Sequence, residues 1–189
     1  MAERPDSLWL VGLSGSGKST VGPPLARRLG YDFLDLDDRV EELAGLTVEE
    51  IFAMEGERVF RALEAEASRE AMARSAVVVA TGGGWMARTD LERTRRGCMR
   101  LWLRVRPETA IHRLSGSGAG SRRRPLLAGS DPEGKLRRLL ALREPAYAEA
   151  ELHVNTEGRE PEDVVSRIIE RIGDGPKRSA EEREIERES

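Results

Sequence analysis

The segment GLSGSGKST, residues 12–20, constrains the fold more than any other part of the chain. It fits the pattern G-x-x-x-x-G-K-[ST], with Gly12, Gly17, Lys18 and Ser19 at the defining positions. An apolar run over 8–13 precedes it and a helical pattern over 18–29 follows it, which is the context the motif requires. Glycines let the backbone curl so that successive N–H groups point inward at phosphate oxygens. The start of the following helix adds the positive end of its dipole. Lys18 is then placed to reach β- and γ-phosphates, and the Ser19 hydroxyl to ligate Mg²⁺. A chain built around this unit is a phosphate binder on an α/β scaffold.

The remaining pattern agrees. Apolar runs predict strands over 8–13, 33–35, 76–80, 99–105 and 152–154. Helical periodicity falls over 18–29, 38–44, 47–54, 57–73, 87–94, 107–114, 131–149 and 161–172. In 57–73 the buried stripe reads Phe60, Leu63, Ala67 and Ala71. Strands that alternate with helices pair in parallel through right-handed crossovers, giving an α/β sandwich. Two segments break the alternation. Residues 115–130, SGSGAGSRRRPLLAGS, read as a mobile loop, and 174–189 as a charged, disordered tail, so residues 1–173 read as a single domain.

Composition narrows the function classes. A net charge of −3 gives no support for a nucleic-acid partner. No stretch approaches the ~20 apolar residues that span a bilayer, and the apolar run after the charged N-terminus is too short for a signal peptide. The single cysteine, Cys98, excludes an internal disulfide and suits a reducing cytoplasm.

A second glycine cluster, in VVVATGGGWMA (77–87), could be a dinucleotide fingerprint, since Gly82, Gly84 and Ala87 have its spacing. That fingerprint belongs to the first βα unit and needs an acidic residue near the end of the next strand, where this chain has Arg104 and Arg106. The strand ending at Ala80 also lacks the aspartate that in many phosphate-loop proteins holds Mg²⁺. The sequence FLDLDDRVEELAG (33–45) offers that carboxylate instead. In an extended segment Asp35 and Asp37 share one side. They could simply cap the next helix, but Asp38 with Glu41 already makes a capping box, which leaves Asp35 and Asp37 for chemistry.

Taken in order, GLSGSGKST, DLD (35–37), GERVFRALE (56–64), GGG (82–84), RPLLAG (124–129) and REPAY (143–147) resemble the shikimate kinase family from about residue 8 to 172. The resemblance implies a P-loop kinase of the nucleoside-monophosphate-kinase type, a three-layer α/β sandwich with a five-stranded parallel sheet and a mobile lid. It implies phosphorylation of the shikimate 3-hydroxyl by ATP, a step toward chorismate and aromatic amino acids, by a monomer. Gly15, Ser16, Gly17, Lys18, Ser19 and Thr20 would hold the triphosphate, and Ser19 with Asp35 through water would hold Mg²⁺. Asp37 would bind the substrate hydroxyls and take the proton. Arg61 and Arg143 would hold the carboxylate, and Gly82, Gly83 and Gly84 would offer backbone N–H groups. Arg113 and Pro161 would flank the adenine, and Arg159 would contact ATP.

The residue types suit these roles. Arginine pairs bidentately with carboxylate, so two arginines receive a small acid well. Arg61 could equally pair with Glu57 one helical turn away, and Arg143 could be a solvated-face charge. Arg124, beside Pro125 in the loop, suits a lid arginine swinging over the γ-phosphate. Pro23 and Pro24 fall inside the helix after the phosphate loop, where proline removes backbone bonds and predicts a kink. Another small-acid kinase, such as a gluconate kinase, and a non-catalytic nucleotide-binding regulator are the competing readings.

Overall fold

The computed structural model describes residues 4–87, 97–116 and 131–173. Arg124, all but the first two residues of the expected lid, the bulk of the helix expected over 87–94 and the tail from 174 lie outside them. Among the described residues, β1 (Ser7–Val11), β2 (Asp32–Asp35), β3 (Val77–Ala80), β4 (Cys98–Arg104) and β5 (Leu152–Asn155) form one sheet in the order β2-β3-β1-β4-β5. Every pairing is parallel. A parallel sheet needs crossovers, and helices supply them on both faces.

The two faces are visible in the alternation of β1. Leu8 and Leu10 belong to one core with Val21, Leu25 and Leu29 of α1 (Lys18–Leu29) and Val164, Val165 and Ile168 of α7 (Pro161–Ile172). Trp9 and Val11 belong to the other, with Phe60, Ala67 and Ala71 of α4 (Gly56–Met72) and Leu136 and Tyr147 of α6 (Pro132–Tyr147). This is the expected three-layer sandwich, produced by the two-residue period of a strand buried on both sides.

Several boundaries differ from expectation. The helix α2 runs Leu36–Ala44, two residues earlier than the sequence predicts. Its cap is Asp35, whose Oδ1 accepts from the Asp37 N–H at 2.9 Å, so the Asp38–Glu41 capping box is not the one that starts the helix. A capping box does form one element later, where Thr47 and Glu50 start α3 (Val48–Glu50). A π-helical turn, Ile51–Glu55, joins it to α4. The stripe of α4 buries Phe60, Ala67 and Ala71 as expected, but its remaining turn is filled by Glu64 and Ser68, with Leu63 only partly buried.

The helix α1 is unbroken through Pro23 and Pro24. Both prolines sit on its half-buried side, while Val21, Leu25, Ala26 and Leu29 anchor the helix against the sheet. That packing outweighs the missing backbone bonds. Gly22 shows how tightly α1 lies on β2: a methyl there would fall 2.2 Å from the Phe33 ring. The remaining helix, α5 (Pro107–Gly116), follows β4 and lies beside the phosphate loop.

Candidate active site

The phosphate loop leaves the C-terminal end of β1, where all neighbouring strands also end. In an open parallel sheet this edge is where ligands bind. The loop is pressed against α5: Gly15, at φ +81°, leaves no room for a side chain, since a methyl would lie 2.6 Å from the Ala110 carbonyl oxygen. Gly17, at φ +99°, occupies the cap position of α1. The Lys18 ammonium donates to the Gly12 and Leu13 carbonyls, each at 2.9 Å, and only 8% of the residue is exposed. Ser16 is fully buried and its hydroxyl has no partner among the described residues. A buried donor of this kind in a glycine loop is suited to a bound oxyanion.

A cleft of about 780 Å³ opens over the loop. It is lined by Gly15 through Thr20, by Asp35 and Asp37, and by Arg113, Thr156, Arg159 and Pro161. The structure therefore gathers every described residue that the sequence reading assigned to nucleotide. Arg113 is also a tie: its guanidinium donates to the Thr156 carbonyl at 2.6 Å and hydroxyl at 3.1 Å, and approaches the Gly15 carbonyl at 3.5 Å. It thereby connects the phosphate loop to the segment that follows β5.

The aspartates differ from each other. Asp35 ends β2, and its Oδ2 accepts from the Ser19 hydroxyl at 2.6 Å while its Oδ1 caps α2. The expectation that Asp35 has no capping duty is therefore corrected; its two oxygens serve both tasks. Asp37 lies in the first turn of α2 rather than in an extended segment. It nevertheless lines the cleft, half-buried, because the helix starts at its edge.

Next to Asp37 stands the triple glycine, and the space it vacates is filled by charge. A methyl on Gly82 would lie 2.7 Å from Glu64 Oε1 and 3.4 Å from Asp37 Oδ1. One on Gly84 would lie 3.3 Å from Arg143 Nη2 and 3.5 Å from Arg61 Nη1. Arginines from α4 and α6 thus converge on one bare stretch of backbone. Arg61 keeps both of its expected possibilities: it pairs with Glu57 at 3.0 Å and with Glu64 at 2.9 Å while facing Gly84. Burial works against its charge, but the Glu64 and Glu57 carboxylates outweigh it and hold the guanidinium above its ordinary range. Arg143 is not on a solvated face; 8% of it is exposed, and among the described residues no carboxylate pairs with it.

Three further residues shape this side, and the sequence reading assigned none of them. Glu64 is 1% exposed and braces Arg61. Trp85 stacks on Trp9 with ring centroids 4.8 Å apart and donates to Ser68 Oγ at 2.9 Å, and Ser68 in turn donates to the Glu64 carbonyl at 2.6 Å. The Tyr147 hydroxyl donates to the Gly83 carbonyl. For Glu64 a signal existed: a carboxylate at the i+4 position after Phe60 falls on the apolar stripe.

A parallel sheet of this order, with a lysine-bearing glycine loop and a hydroxyl–carboxylate pair at its edge, defines a P-loop phosphotransferase. A family model described as shikimate kinase matches residues 14–173. A shikimate kinase from Symbiobacterium thermophilum is 49% identical over 165 residues, covering 86% of this chain and 94% of that protein. One from Moorella thermoacetica is 45% identical, covering 89% and 95%. Among solved structures, a shikimate kinase from Acinetobacter baumannii in complex with shikimate superposes with a TM-score of 0.81 at 35% identity, covering 89% of this chain and 93% of that one. The chain belongs to the shikimate kinase family.

Proposed function

We propose that this protein transfers the γ-phosphoryl group of ATP to the 3-hydroxyl of shikimate, giving shikimate 3-phosphate and ADP. The observation that carries the acid-binding half is Arg143, a buried cation without a carboxylate partner among the described residues, meeting Arg61 over Gly84. A buried charge is normally paired. The substrate carboxylate completes the pairing, with two arginines offering planar forks to its oxygens. Glycine at 82–84 lets a hydroxylated ring approach the backbone; a methyl at 82 would collide with Glu64 at 2.7 Å, and one at 84 would press on the arginines at 3.3–3.5 Å.

Asp37, beside Gly82, then faces the ring hydroxyls. It orients the reacting hydroxyl and accepts its proton as the oxygen attacks. On the other side of the cleft, backbone N–H groups of 15–20 and the Ser16 hydroxyl receive the phosphates, and Lys18 exchanges its carbonyl partners for phosphate oxygens. Arg113, Arg159 and Pro161 line the nucleoside end.

The donor set suits Mg²⁺. Ser19 and Asp35 present hard oxygens 2.6 Å apart on the cleft wall, and no group of three or more acidic, His or Cys residues forms a cage among the described residues. Few protein ligands, with the rest from phosphate and water, is how Mg²⁺ is usually held. When bound there, Mg²⁺ would neutralise charge on the β- and γ-phosphates.

We further assign the protein, from its family resemblance, as a cytoplasmic monomer. No helix among the described residues is long and apolar enough to cross a membrane. A coupled ADP-release assay with shikimate, quinate and gluconate tests the reading. Turnover that requires shikimate and Mg²⁺ is expected. Equal turnover with gluconate, or nucleotide binding without turnover on any of the three, would overturn it.

A further inference from the structure

The triple glycine has no side chains, so something else must set the direction of its peptide groups. Tyr147 is fully buried on α6, one turn beyond Arg143, with its ring centroid 5.7 Å from that of Trp102. Its hydroxyl donates to the Gly83 carbonyl. Burial pushes that hydroxyl up to about 12, against the opposing pull of the Arg143 charge and its hydrogen bond to the same oxygen, so the hydroxyl keeps its proton for Gly83 through neutral pH. The next carbonyl back, that of Gly82, accepts from the Trp85 N–H at 3.1 Å. The Gly82 and Gly83 carbonyls are therefore tied, whereas among the described residues the N–H groups of Gly83 and Gly84 have no acceptor.

A trans peptide is planar, and its C=O and following N–H point in opposite directions. The Gly83–Gly84 bond is trans. With its carbonyl turned into the core toward Tyr147, the Gly84 N–H is turned out of the core. Gly84 is also the residue on which Arg61 and Arg143 converge. One helix, α6, thus delivers a charge through Arg143 and fixes a neutral donor through Tyr147, at positions four residues apart that share a helix face.

We propose that Tyr147 is a positioning residue for the acid substrate: its hydroxyl locks the Gly83–Gly84 peptide plane, so that the Gly84 N–H joins Arg61 and Arg143 in receiving a substrate oxygen. Without that bond the glycine pair is free to turn its peptide over, and the N–H donor is lost for part of the time. The inference rests on the shikimate kinase reading above, and its test separates the two.

The experiment is steady-state kinetics of wild type and Tyr147→Phe with shikimate and ATP each varied, with thermal unfolding of both proteins alongside. Phenylalanine keeps the ring and its packing and removes only the hydroxyl. The loss of one such hydrogen bond should raise the shikimate KM roughly 3- to 10-fold while the ATP KM stays within about 2-fold. Unchanged KM for shikimate in Tyr147→Phe would overturn the inference and leave the functional reading standing. So would an equal rise in both KM values, which is the signature of general loosening. A wild-type enzyme inert toward shikimate would remove the functional reading and this inference together.

Discussion

The two arginines over Gly84 look alike, yet their surroundings predict different consequences when each is replaced. Arg143 is 8% exposed and has no carboxylate partner among the described residues. Its charge weakens the ligand-free protein or leaves it indifferent, because desolvation is not offset by a paired anion. In the complex proposed above it would meet the substrate carboxylate, and removing one side of such a buried pair costs about 2–5 kcal/mol. Taking about 3–4 kcal/mol, Arg143→Met should weaken shikimate binding by roughly 150- to 1,000-fold. Methionine keeps much of the apolar stem, so the unfolding temperature of the ligand-free protein should hold or rise.

Arg61 behaves otherwise. It neutralises Glu64, which is 1% exposed and 2.9 Å away. Arg61→Met removes the guanidinium that pairs with that buried carboxylate, a change that costs about 3–5 kcal/mol and lowers the unfolding temperature by roughly 6–20 °C for a domain of this size. It should lose shikimate affinity as well. Calorimetric titration of both variants with shikimate and with ATP, next to thermal unfolding of the free proteins, reads all four quantities. An Arg143→Met protein that unfolds well below wild type yet binds shikimate within about 3-fold would refute the argument, because Arg143 would then be a structural tie.

Other parts of the cleft make separable predictions. Asp37→Asn should cut turnover by ~10²–10⁴-fold with no relief from added Mg²⁺, since an amide cannot take the hydroxyl proton; Asp35→Asn, which alters the partner of Ser19, should recover activity as Mg²⁺ is raised, and exchange of these two responses across a Mg²⁺ series would exchange the roles. Gly15→Ala combines φ +81° with a 2.6 Å approach to the Ala110 carbonyl, so ATP affinity should fall at least ~10-fold in a binding titration while shikimate affinity is kept. Glu157 ties α5 to the segment after β5 by accepting from the Arg106 N–H at 3.0 Å and from the Thr109 hydroxyl, and Glu157→Gln should raise the ATP KM about 3-fold and leave the shikimate KM alone. Burial would lift the Glu157 carboxyl, but its bonds from Thr109 and Arg106 hold it below the ordinary 4.5. The stability that wild type gains over Glu157→Gln is therefore complete above about pH 4.5 and lost as pH falls through the lower folded value, which acid titration of unfolding measures for both proteins.

What could be read from the sequence was whatever is encoded within a short span. Gly12, Gly17, Lys18 and Ser19 sit within eight residues, and their backbone conformation follows from their own types and order. The strands of the sheet were legible for the same reason, since a run such as VVVA buried on both faces needs no partner to be recognised. Asp35 was misread because three aspartates and a glutamate offered rival caps, and the choice between them depends on where β2 ends, which is set by its register with β3. Pro23 and Pro24 do not end α1, because helix propensity is a weak preference that packing against the sheet overrides.

The acid-binding side is a different kind of object. Arg61 and Glu64 come from α4, Arg143 and Tyr147 from α6, Gly82–Gly84 from the end of β3, and Asp37 from α2. The sequence singles out Arg61, Arg143 and the three glycines only through their motifs, and nothing in the spacing between those motifs shows that they meet until the helices are packed. The consequence is a division of tolerance. The phosphate loop is confined by backbone contacts at Gly12 and Gly15, each within 2.6 Å of a carbonyl oxygen if given a methyl, so it has little freedom to vary. The proposed acid receptor is confined around Gly82 and Gly84 by side chains, Glu64 at 2.7 Å and the two arginines at 3.3–3.5 Å, which substitution can change without moving backbone. A change of acid substrate within this scaffold would therefore arise by altering residues on α4 and α6 while the nucleotide side stays as it is.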